Sequence, residues 1–364
     1  MRGTLKKFYI SILTIMLIVF TMLATTYAWV GIYYHSSIED FSLNLKTQKL
    51  NEDYYLSISS FDEEDTFFET TKLADLQRQI VKNRGSYSDY LDNDDALNDY
   101  FSKIKLNSVT TTKHGILNDE FYELDKNTKT SISVEKSNSF FKFDVYLSLE
   151  NRYDLEIEES VNKTLDVYLE NITNVLSSSI TYDYRLTNDF TYPSNGIIST
   201  NIGMISKDDD IRINPSSTAR VALAIYNPIL RNEKYEGTEI PKKIIIFQGG
   251  TDKPTYDSVN NVYSFGGILP EEYNLALNEY RKIYKIPSEK LQVPLDAINR
   301  GDLELIEGNE MLIEDDFGFG IVNGKKTKIK ITVYFWFEGW DSDCFAIMNN
   351  KKVELNLVFA TGKE

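Results

Sequence analysis

Apolar and polar residues alternate along much of this chain with a period of two. The alternation is clearest near the C-terminus, where one set of alternate positions is entirely apolar: Ile329, Ile331, Val333, Phe335 and Phe337. The intervening positions are predicted to face water: Lys328, Lys330, Thr332, Tyr334 and Trp336. A strand of this kind packs one face and leaves the other solvated, as is typical of antiparallel sheets.

Several other segments repeat the pattern, at 141–149, 165–169, 219–225 and 353–359, and shorter strands are predicted at 41–46 and 54–59. Antiparallel sheets with one apolar face each are stable when those faces pack against each other. The sequence therefore predicts a mainly β fold, built as an antiparallel β-sandwich with a few inserted helices.

The helical patterns are few and are interpreted as insertions into the sandwich. One helix is predicted with Thr70 or Thr71 as its cap and Gly85 just past its end. Its inward-facing residues are predicted to be Leu73, Leu76, Ile80 and Val81. A weaker helical pattern covers residues 90–101.

A third helix is predicted at 270–284, where Pro270 stands at the first helical position and two glutamates follow it. This helix lies in an excursion at about 227–323 that is rich in Gly, Pro and charge. We interpret the excursion as a helical and loop decoration of one sandwich domain spanning residues 29–364. A separate domain is the alternative interpretation.

The N-terminal segment determines where the chain is expected to lie. Residues 8–38 contain no Asp, Glu, Lys or Arg, and three basic residues precede them: Arg2, Lys6 and Lys7. With a small-residue site at 26–28, this is the pattern of a signal peptide cleaved between Ala28 and Trp29. The same run is also long enough to span a bilayer, so residues 8–34 could remain as a membrane anchor. In both cases the basic end stays in the cytoplasm, and the rest of the chain is exported to the extracellular side.

The charge of the chain limits its partners. The formal net charge is −16, and it becomes −19 without residues 1–28, which carry three positive charges and no negative ones. A domain this acidic is poorly suited to neutralise phosphates, so nucleic acid is not expected as a partner. Cys344 is the only cysteine, which excludes an intramolecular disulfide.

The sequence carries no recognisable catalytic motif. His35 and His114 are the two histidines, and neither has a second ligand at a metal-binding spacing. No His-Glu-x-x-His helix, Gly-x-Ser-x-Gly elbow or phosphate-binding glycine loop is present. His114 is predicted to lie in an exposed turn. We therefore predict that the chain is not an enzyme and has no catalytic residue and no resident cofactor.

Calcium is the one cofactor for which the sequence offers candidate ligands. The acidic clusters are at 92–95, 208–210 and 314–316, and Asp341 and Asp343 form a further candidate pair. None of them has the EF-hand layout, since Ala96 and Leu97 occupy the fifth and sixth loop positions counted from Asp92. Solvated loop carboxylates are the preferred interpretation, and no metal site is predicted.

Both ends of the chain resemble one family. The segment Ala24-Thr25-Thr26-Tyr27-Ala28-Trp29 resembles the cleavage region of proteins processed by the SipW-type signal peptidase. The C-terminal run at 333–344, with Trp336, Glu338, Gly339, Asp341, Asp343 and Cys344, is similar to the closing strands of TasA/camelysin-like matrix proteins of Firmicutes. Segments 106–111, 143–147 and 355–359 also resemble that group.

The resemblance implies a jelly-roll fold, export, and assembly into extracellular fibres through exchange of an N-terminal strand. The segment exchanged here would be Trp29, Val30, Gly31, Ile32, Tyr33 and Tyr34, which is uncharged and strand-prone. An apolar strand of this kind can complete the open sheet edge of a neighbouring molecule. The implied partners are the signal peptidase and copies of the chain itself or related matrix proteins.

Three functional hypotheses remain open from the sequence. The first is a non-enzymatic surface or matrix protein that assembles into fibres. The second is a membrane-anchored binding module, for example for carbohydrate, that uses Tyr334, Trp336 and Trp340 as stacking faces. The third is a secreted hydrolase whose acid and base come from scattered loops, because carboxylate pairs of that type cannot be recognised without distances.

Overall fold

The structure is a computed structural model, which describes the chain in separate segments. The described residues are 36–37, 41–47, 54–68, 71–84, 93–102, 105–106, 108–109, 111, 113–125, 130–134, 139–151, 157–169, 176–177, 182–185, 190–191, 204–205, 208–213, 215–248, 255–257, 262–265, 310–338 and 353–361. The predicted signal segment, the candidate exchange strand 29–34 and the predicted helix at 270–284 lie outside them.

Within these residues most of the chain is strand. The strands are β1 (Ser36–Ser37), β2 (Phe41–Thr47), β3 (Tyr54–Ser59), β4 (Lys105–Leu106), β5 (Ser108–Val109), β6 (Phe121–Asp125), β7 (Thr130–Val134), β8 (Phe140–Asn151), β9 (Lys163–Thr164), β10 (Val167–Leu169), β11 (Leu176–Ser177), β12 (Tyr182–Arg185), β13 (Phe190–Thr191), β14 (Met204–Ile205), β15 (Asp210–Ile213), β16 (Ala219–Ile225), β17 (Ile229–Leu230), β18 (Lys243–Gln248), β19 (Thr255–Asp257), β20 (Val262–Phe265), β21 (Glu310–Ile313), β22 (Gly320–Val322), β23 (Lys325–Glu338) and β24 (Val353–Thr361). The helices are α1 (Leu73–Asn83), α2 (Asp94–Ser102), α3 (Lys113–Asn118) and α4 (Pro215–Thr218), with short 3-10 turns at Glu64–Thr66 and Asp315–Phe317.

Two sheets form the body of the protein. The large sheet has the strand order β18–β16–β23–β8–β3, and the short strands β5, β17 and β22 also pair with β23. The small sheet has the order β21–β10–β24–β2, and β11 pairs with another stretch of β24. The predicted mainly β fold is therefore confirmed, and most neighbouring strands are antiparallel.

One apolar core joins the two sheets. The alternate residues of β23 that were predicted to be apolar and inward-facing, from Ile329 to Phe337, are all fully buried in it. They pack in the same cluster as Val353, Leu355, Leu357 and Phe359 of β24. The hydrophobic pattern thus identified the packed faces of the central strands in both sheets.

The expectation of a solvated outer face was wrong for the large sheet. Lys328, Thr332 and Trp336 are each only 1 % exposed, and Tyr334 is 3 % exposed. Chain segments from elsewhere cover this face, including residues 60–68, the loop after β17 and the segment around α3. A strand covered on both faces still alternates in polarity when its second face is buried against polar groups.

The segment at 227–323 contributes strands to both sheets as well as connections. It includes β18, an outer strand of the large sheet, and β21, an outer strand of the small sheet. The Lys243 ammonium on β18 donates a hydrogen bond to the Met311 carbonyl on β21, at 2.7 Å. This contact links the two sheets along one side of the sandwich.

Helix α1 confirms the first helical prediction, although its cap differs. It begins after Lys72, not after Thr70 or Thr71, and no side chain caps it. Leu76, Ile80 and Val81 are buried as predicted, whereas Leu73 is exposed. Gln79 bonds both the N–H and the carbonyl of Asp144, which lies beyond the residues of β8 that pair with β3. Through Gln79 the helix thus makes the backbone hydrogen bonds to Asp144 that a neighbouring strand would otherwise make.

The second helical prediction at 90–101 is also confirmed in its described part as α2. The side chain of Asn93 accepts hydrogen bonds from the N–H groups of Asp95 and Ala96, at 2.9 and 3.2 Å. This is the geometry of an N-terminal cap. Among the described residues, no helix combines the length and the apolar composition needed to cross a bilayer.

Candidate functional site: the polar face of the large sheet

The outward face of β8 and β23 carries a row of charged and hydroxyl side chains. In the antiparallel register, Lys328 lies opposite Ser148, Lys330 opposite Tyr146 and Thr332 opposite Asp144. We call this surface the polar face and define it by these residues: Asp144, Tyr146, Ser148, Glu150, Lys326, Lys328, Lys330 and Thr332. Because side chains of a strand alternate between faces, the even-numbered positions of both strands meet here.

Glu150 is the anchor at one end of the polar face. It accepts hydrogen bonds from Arg231 and from the Lys326 ammonium, the second at 2.7 Å. Arg231 also donates to the Glu64 carbonyl at 2.6 Å, and its guanidinium lies 4.8 Å from the ring centroid of Phe67. One guanidinium therefore fastens the turn at 60–68 and the loop after β17 to the same strand.

Asp62 and Lys328 form the next pair along the face. The Lys328 ammonium contacts Oδ1 of Asp62, and Oδ2 of Asp62 accepts a hydrogen bond from the Tyr235 N–H at 2.8 Å. The Tyr235 hydroxyl accepts a hydrogen bond from the Lys330 N–H at 3.0 Å and donates to the Asn227 carbonyl at 2.8 Å. Tyr235 therefore closes the loop over the buried lysine.

The remaining polar side chains are also paired. Asp144 accepts hydrogen bonds from the Thr332 hydroxyl at 2.6 Å and lies 3.2 Å from the Lys330 ammonium. Farther along β23, the Tyr334 hydroxyl donates to Asp119 at 2.7 Å. The ammonium of Lys142 binds both oxygens of the same carboxylate, at 2.7 and 2.6 Å. Each cation of this face thus has a carboxylate partner within reach.

The buried tyrosines of this region are held in their neutral form. Burial raises the pKa of Tyr334 well above its ordinary value of 10.0, and the neighbouring Asp119 carboxylate adds to the effect. Burial likewise raises the pKa of Tyr146, with a contribution from Asp144, and the pKa of Tyr235. A phenol held neutral in this way donates hydrogen bonds and is a poor general base at physiological pH.

We expect the protein to lose stability steeply as the pH rises above about 10. Because the pKa values of Tyr146, Tyr235 and Tyr334 are raised in the native state, that state keeps protons which the unfolded chain releases. Their contribution is complete below the unfolded pKa and is lost as the pH rises from there towards the folded pKa. Urea unfolding measured between about pH 8 and about pH 11 reports this loss.

Tyr334→Phe is the matched variant for the alkaline experiment. At neutral pH we expect it to be less stable by about 1 kcal/mol, because the hydrogen bond from the buried Tyr334 hydroxyl to Asp119 is lost. Above about pH 10 its further loss should be smaller than that of the wild type, since one titrating phenol is gone. Parallel alkaline slopes in the two proteins would contradict the role assigned to Tyr334.

The structure describes two of the six residues named in the C-terminal motif that resembles the TasA/camelysin-like proteins. Trp336 and Glu338 are both buried, and the indole N–H of Trp336 donates to the Glu338 carboxylate at 3.2 Å. Trp336 packs edge-on against Phe121, with the ring centroids 5.6 Å apart, and Phe121 in turn stacks on Phe140. Trp340 and the other motif residues lie outside the described part of the chain: Gly339, Asp341, Asp343 and Cys344.

The remaining sequence candidates lie apart from the polar face. Residue 114 is part of helix α3, so the prediction of a turn there was wrong. Asp210 on β15 pairs with Arg185 on β12, at 3.0 Å, in a third sheet apart from the large and the small one. Residues 315–317 form a 3-10 turn. Within the described residues, no group of three or more His, Cys, Asp or Glu side chains could hold a metal ion.

Sequence reasoning missed the polar face as a site. The available signal was the set of lysines at alternate positions of β23, namely Lys326, Lys328 and Lys330, in a strand that is otherwise apolar and aromatic. Their acidic partners come from β8 and from the turn after β3, far away in sequence. Only the folded chain shows which carboxylate meets which lysine.

Comparison with known proteins adds no relative to this description. No family model matches the chain, and no curated protein or solved structure matches it either. The interpretation of the polar face therefore depends on its own geometry.

Proposed function

We propose that this chain is a non-enzymatic exported surface or extracellular-matrix protein, and that it assembles into fibres by exchange of an N-terminal strand. The observation that carries the proposal is the pairing of β2 with β24. These two strands run parallel over seven residues, from Phe41 opposite Val353 to Thr47 opposite Phe359. The jelly-roll arrangement and the kinship with TasA/camelysin-like proteins are part of the same proposal.

The position of β2 suits a strand that can be exchanged together with the candidate segment 29–34, which precedes it in the chain. Among the described strands β2 pairs with β24 alone. A strand at a sheet edge can leave its own molecule and pair with the same partner strand in a second one. Donor and acceptor surfaces then differ, so the contact is heterologous and propagates as a filament.

The polar face supports a structural role over a catalytic one. Its carboxylates are bound to lysine, arginine or hydroxyl donors, and its phenols are held neutral. General acid–base work needs a group that is free to take up or release a proton near neutral pH. In the described residues this network instead fastens loops onto the sheet.

Two of the three aromatic residues that the binding-module alternative requires are buried. Tyr334 and Trp336 are buried among Val109, Ile116 and Phe121, so they offer no stacking face to a sugar. A sugar-binding surface would have to use Trp340, which lies outside the described residues. No observation favours this alternative, and it is not proposed further.

Export is tested on the native organism's own culture fractions. We expect the protein in the extracellular or cell-surface fraction, with Trp29 as its first residue if the N-terminal segment is cleaved. An intact N-terminus in the membrane fraction would support an anchor instead. Recovery of the chain in the cytosol would contradict the proposal.

Strand exchange is tested with a pair of cysteines placed across β2 and β24. Lys46→Cys and Val358→Cys occupy partner positions in the parallel register, and Cys344→Ser removes the native thiol. In a monomer the two cysteines close within one chain, whereas in an exchanged fibre they join neighbouring chains. After mild oxidation of concentrated protein, we expect a ladder of covalent multimers on a denaturing, non-reducing gel, together with fibres by negative-stain microscopy.

The single variant Lys46→Cys with Cys344→Ser is the control and should give no ladder. Fibres in which the double variant closes only within one chain would show that assembly uses another contact. A protein that stays monodisperse at high concentration would exclude fibre formation, and the surface-protein proposal would then depend on the export experiment alone.

A further inference from the structure

We propose that Lys328 and Asp62 become joined by an intramolecular amide bond, formed between their side chains with the loss of one water molecule. Lys328 lies on β23 at the centre of the large sheet, and its side chain is 1 % exposed. Its ammonium contacts Oδ1 of Asp62, in the turn after β3. This inference goes beyond the proposed function and does not depend on it.

Aromatic side chains cover part of this pair, since the side chain of Lys328 is 1 % exposed and that of Asp62 is 18 % exposed. Tyr235, in the loop after β17, donates its N–H to Asp62, and its ring centroid lies 6.1 Å from that of Tyr146 and 6.2 Å from that of Tyr226. The charge of Asp62 contributes to the raised pKa of both Tyr146 and Tyr235. This cover limits the access of bulk water to a pair that must lose water to react.

The contact also holds the reacting groups together. Amide formation needs a neutral amine and a neutral carboxylic acid, and the ion pair reaches that state when one proton passes from Nζ of Lys328 to Oδ1 of Asp62. Fixing an amine against a carboxyl group replaces an encounter in solution by a reaction within one molecule, which is a large rate advantage.

The backbone supplies a donor for the oxygen that gains charge. The Tyr235 N–H donates to Oδ2 of Asp62 at 2.8 Å, and Oδ1 accepts no other hydrogen bond from the described residues. As Nζ attacks Cγ, the new N–C bond forms and negative charge develops on Oδ2, where this N–H stabilises it. Oδ1 takes a second proton from the attacking nitrogen and leaves as water when the Cγ–Oδ1 bond breaks.

The product would be a covalent link across the large sheet. It joins the central strand β23 to the turn that follows the outer strand β3, with β8 between them. Positions 62 and 328 enclose most of the chain, so the link closes a long loop and restricts the unfolded state, as a disulfide would. The chain has a single cysteine and cannot make such a link with an intramolecular disulfide.

A second lysine–aspartate pair on the same strand serves as an internal comparison. Lys330 lies 3.2 Å from Oδ2 of Asp144, and Oδ1 of Asp144 is occupied by the Thr332 hydroxyl at 2.6 Å. Both side chains are more exposed than Lys328, at 13 and 27 %. Water has more access to this pair than to Lys328 and Asp62, whose side chains are 1 and 18 % exposed, so we expect it to remain an ion pair.

The test is the intact mass of the folded, purified protein, whose N-terminus is established by sequencing. We expect a mass lower by one water molecule than that calculated from the observed N-terminus to the C-terminus, and a tryptic digest in which the peptides containing Asp62 and Lys328 are linked. Lysine in an amide is not cleaved by trypsin, so the digest should also lack cleavage after residue 328. Asp62→Ala and Lys328→Arg should each restore the full mass, whereas Asp144→Ala should still lack one water.

Gel mobility provides a readout that does not require the variants to fold as the wild type does. Under denaturing conditions the wild type, closed into a large loop, should migrate differently from Lys328→Arg. A wild-type protein that is natively folded by circular dichroism yet has the full sequence mass would overturn the proposal. Loss of water at any other pair of residues would overturn it too. Neither result depends on whether the chain forms fibres.

Discussion

Replacing Gly320 by alanine is expected to be the most damaging single change in the described part of the chain. Gly320 begins β22 with φ near +136°, a conformation that residues with a Cβ rarely adopt. A Cβ there would lie 2.1 Å from the Lys163 carbonyl oxygen on the paired strand β9. Because the obstacle is backbone and not the end of a flexible side chain, we expect a loss of at least about 3 kcal/mol.

The location of Gly320 explains why the chain cannot avoid the contact. Residues 163–169 pass from β9, attached to the large sheet, to β10 of the small sheet, while residues 310–322 pass from β21 to β22. The two segments cross between the sheets side by side. Gly320 lies against the Lys163 carbonyl on the paired strand, so displacement there is expected to disturb both sheets at once.

Gly318→Ala is the matched control for this prediction. Gly318 also has a positive φ, near +75°, but no atom lies within 4 Å of the position of its added Cβ. It should therefore lose only the cost of a left-handed backbone, about 1–2 kcal/mol. Urea unfolding of the three proteins measures both effects. Equal losses in the two variants would show that the contact with Lys163 is not the cause.

Glu150→Ala is expected to have the second-largest effect, about 3 kcal/mol of destabilisation. The side chain of Glu150 is 12 % exposed and binds both Arg231 and Lys326. Removing one partner of a buried ion pair leaves the other charge without compensation, which costs more than the pair contributes. Here one substitution would leave two cations without their carboxylate: Arg231, 13 % exposed, and Lys326, 23 % exposed.

Lys326→Met is the comparison variant, because it removes the charge of Lys326 and keeps a side chain of similar length. That variant removes a cation whose side chain is 23 % exposed and leaves Glu150 its contact with Arg231, so the loss should be below about 1 kcal/mol. Asp65→Ala, an exposed carboxylate in the neighbouring turn, should change stability by less than about 0.5 kcal/mol. Thermal or urea unfolding gives the order of the three. Similar values for Glu150→Ala and Asp65→Ala would contradict the anchoring role.

The loss of Glu150 should also be visible in local structure. Arg231 holds the turn at 60–68 and the loop after β17 through the same guanidinium, so both should open before the sheet does. Amide hydrogen exchange of Glu150→Ala should show faster exchange in those two segments, with β16 and β23 unchanged at first.

The prediction of strands succeeded because burial of the inner faces is dictated locally. The odd-numbered residues of β23 and β24 between 329 and 337 and between 353 and 359 are apolar, and each is fully buried. A period of two with one apolar face leaves no other way to bury that surface. The predicted strand at 54–59 matches β3 in both of its bounds.

The same reasoning failed on the outer face because polarity alone does not distinguish water from a paired charge. Lys328 looks like a solvated residue in sequence, yet it is buried against Asp62, 266 positions earlier. Tyr334 and Trp336 look like exposed aromatics, yet the segment around α3 and β6 covers them. Each covering segment is distant in sequence, so no local pattern predicts that it covers these residues.

The sequence pattern likewise did not predict the parallel pairing of β2 with β24. Alternation fixes which face of a strand is buried but says nothing about the direction of its neighbour. The antiparallel expectation held for most pairs and was wrong for this one. The pairing brings the first long strand of the described chain beside the last.

The sequence by itself determined the β class, the inner faces of the strands and an acidic composition, since each follows from residue type and local period. The tertiary structure decided the pairing of distant charges on the polar face, the covering of the outer aromatics and the close approach at Gly320. These features depend on which segments meet in space, and that choice is made by the free energy of the whole folded chain.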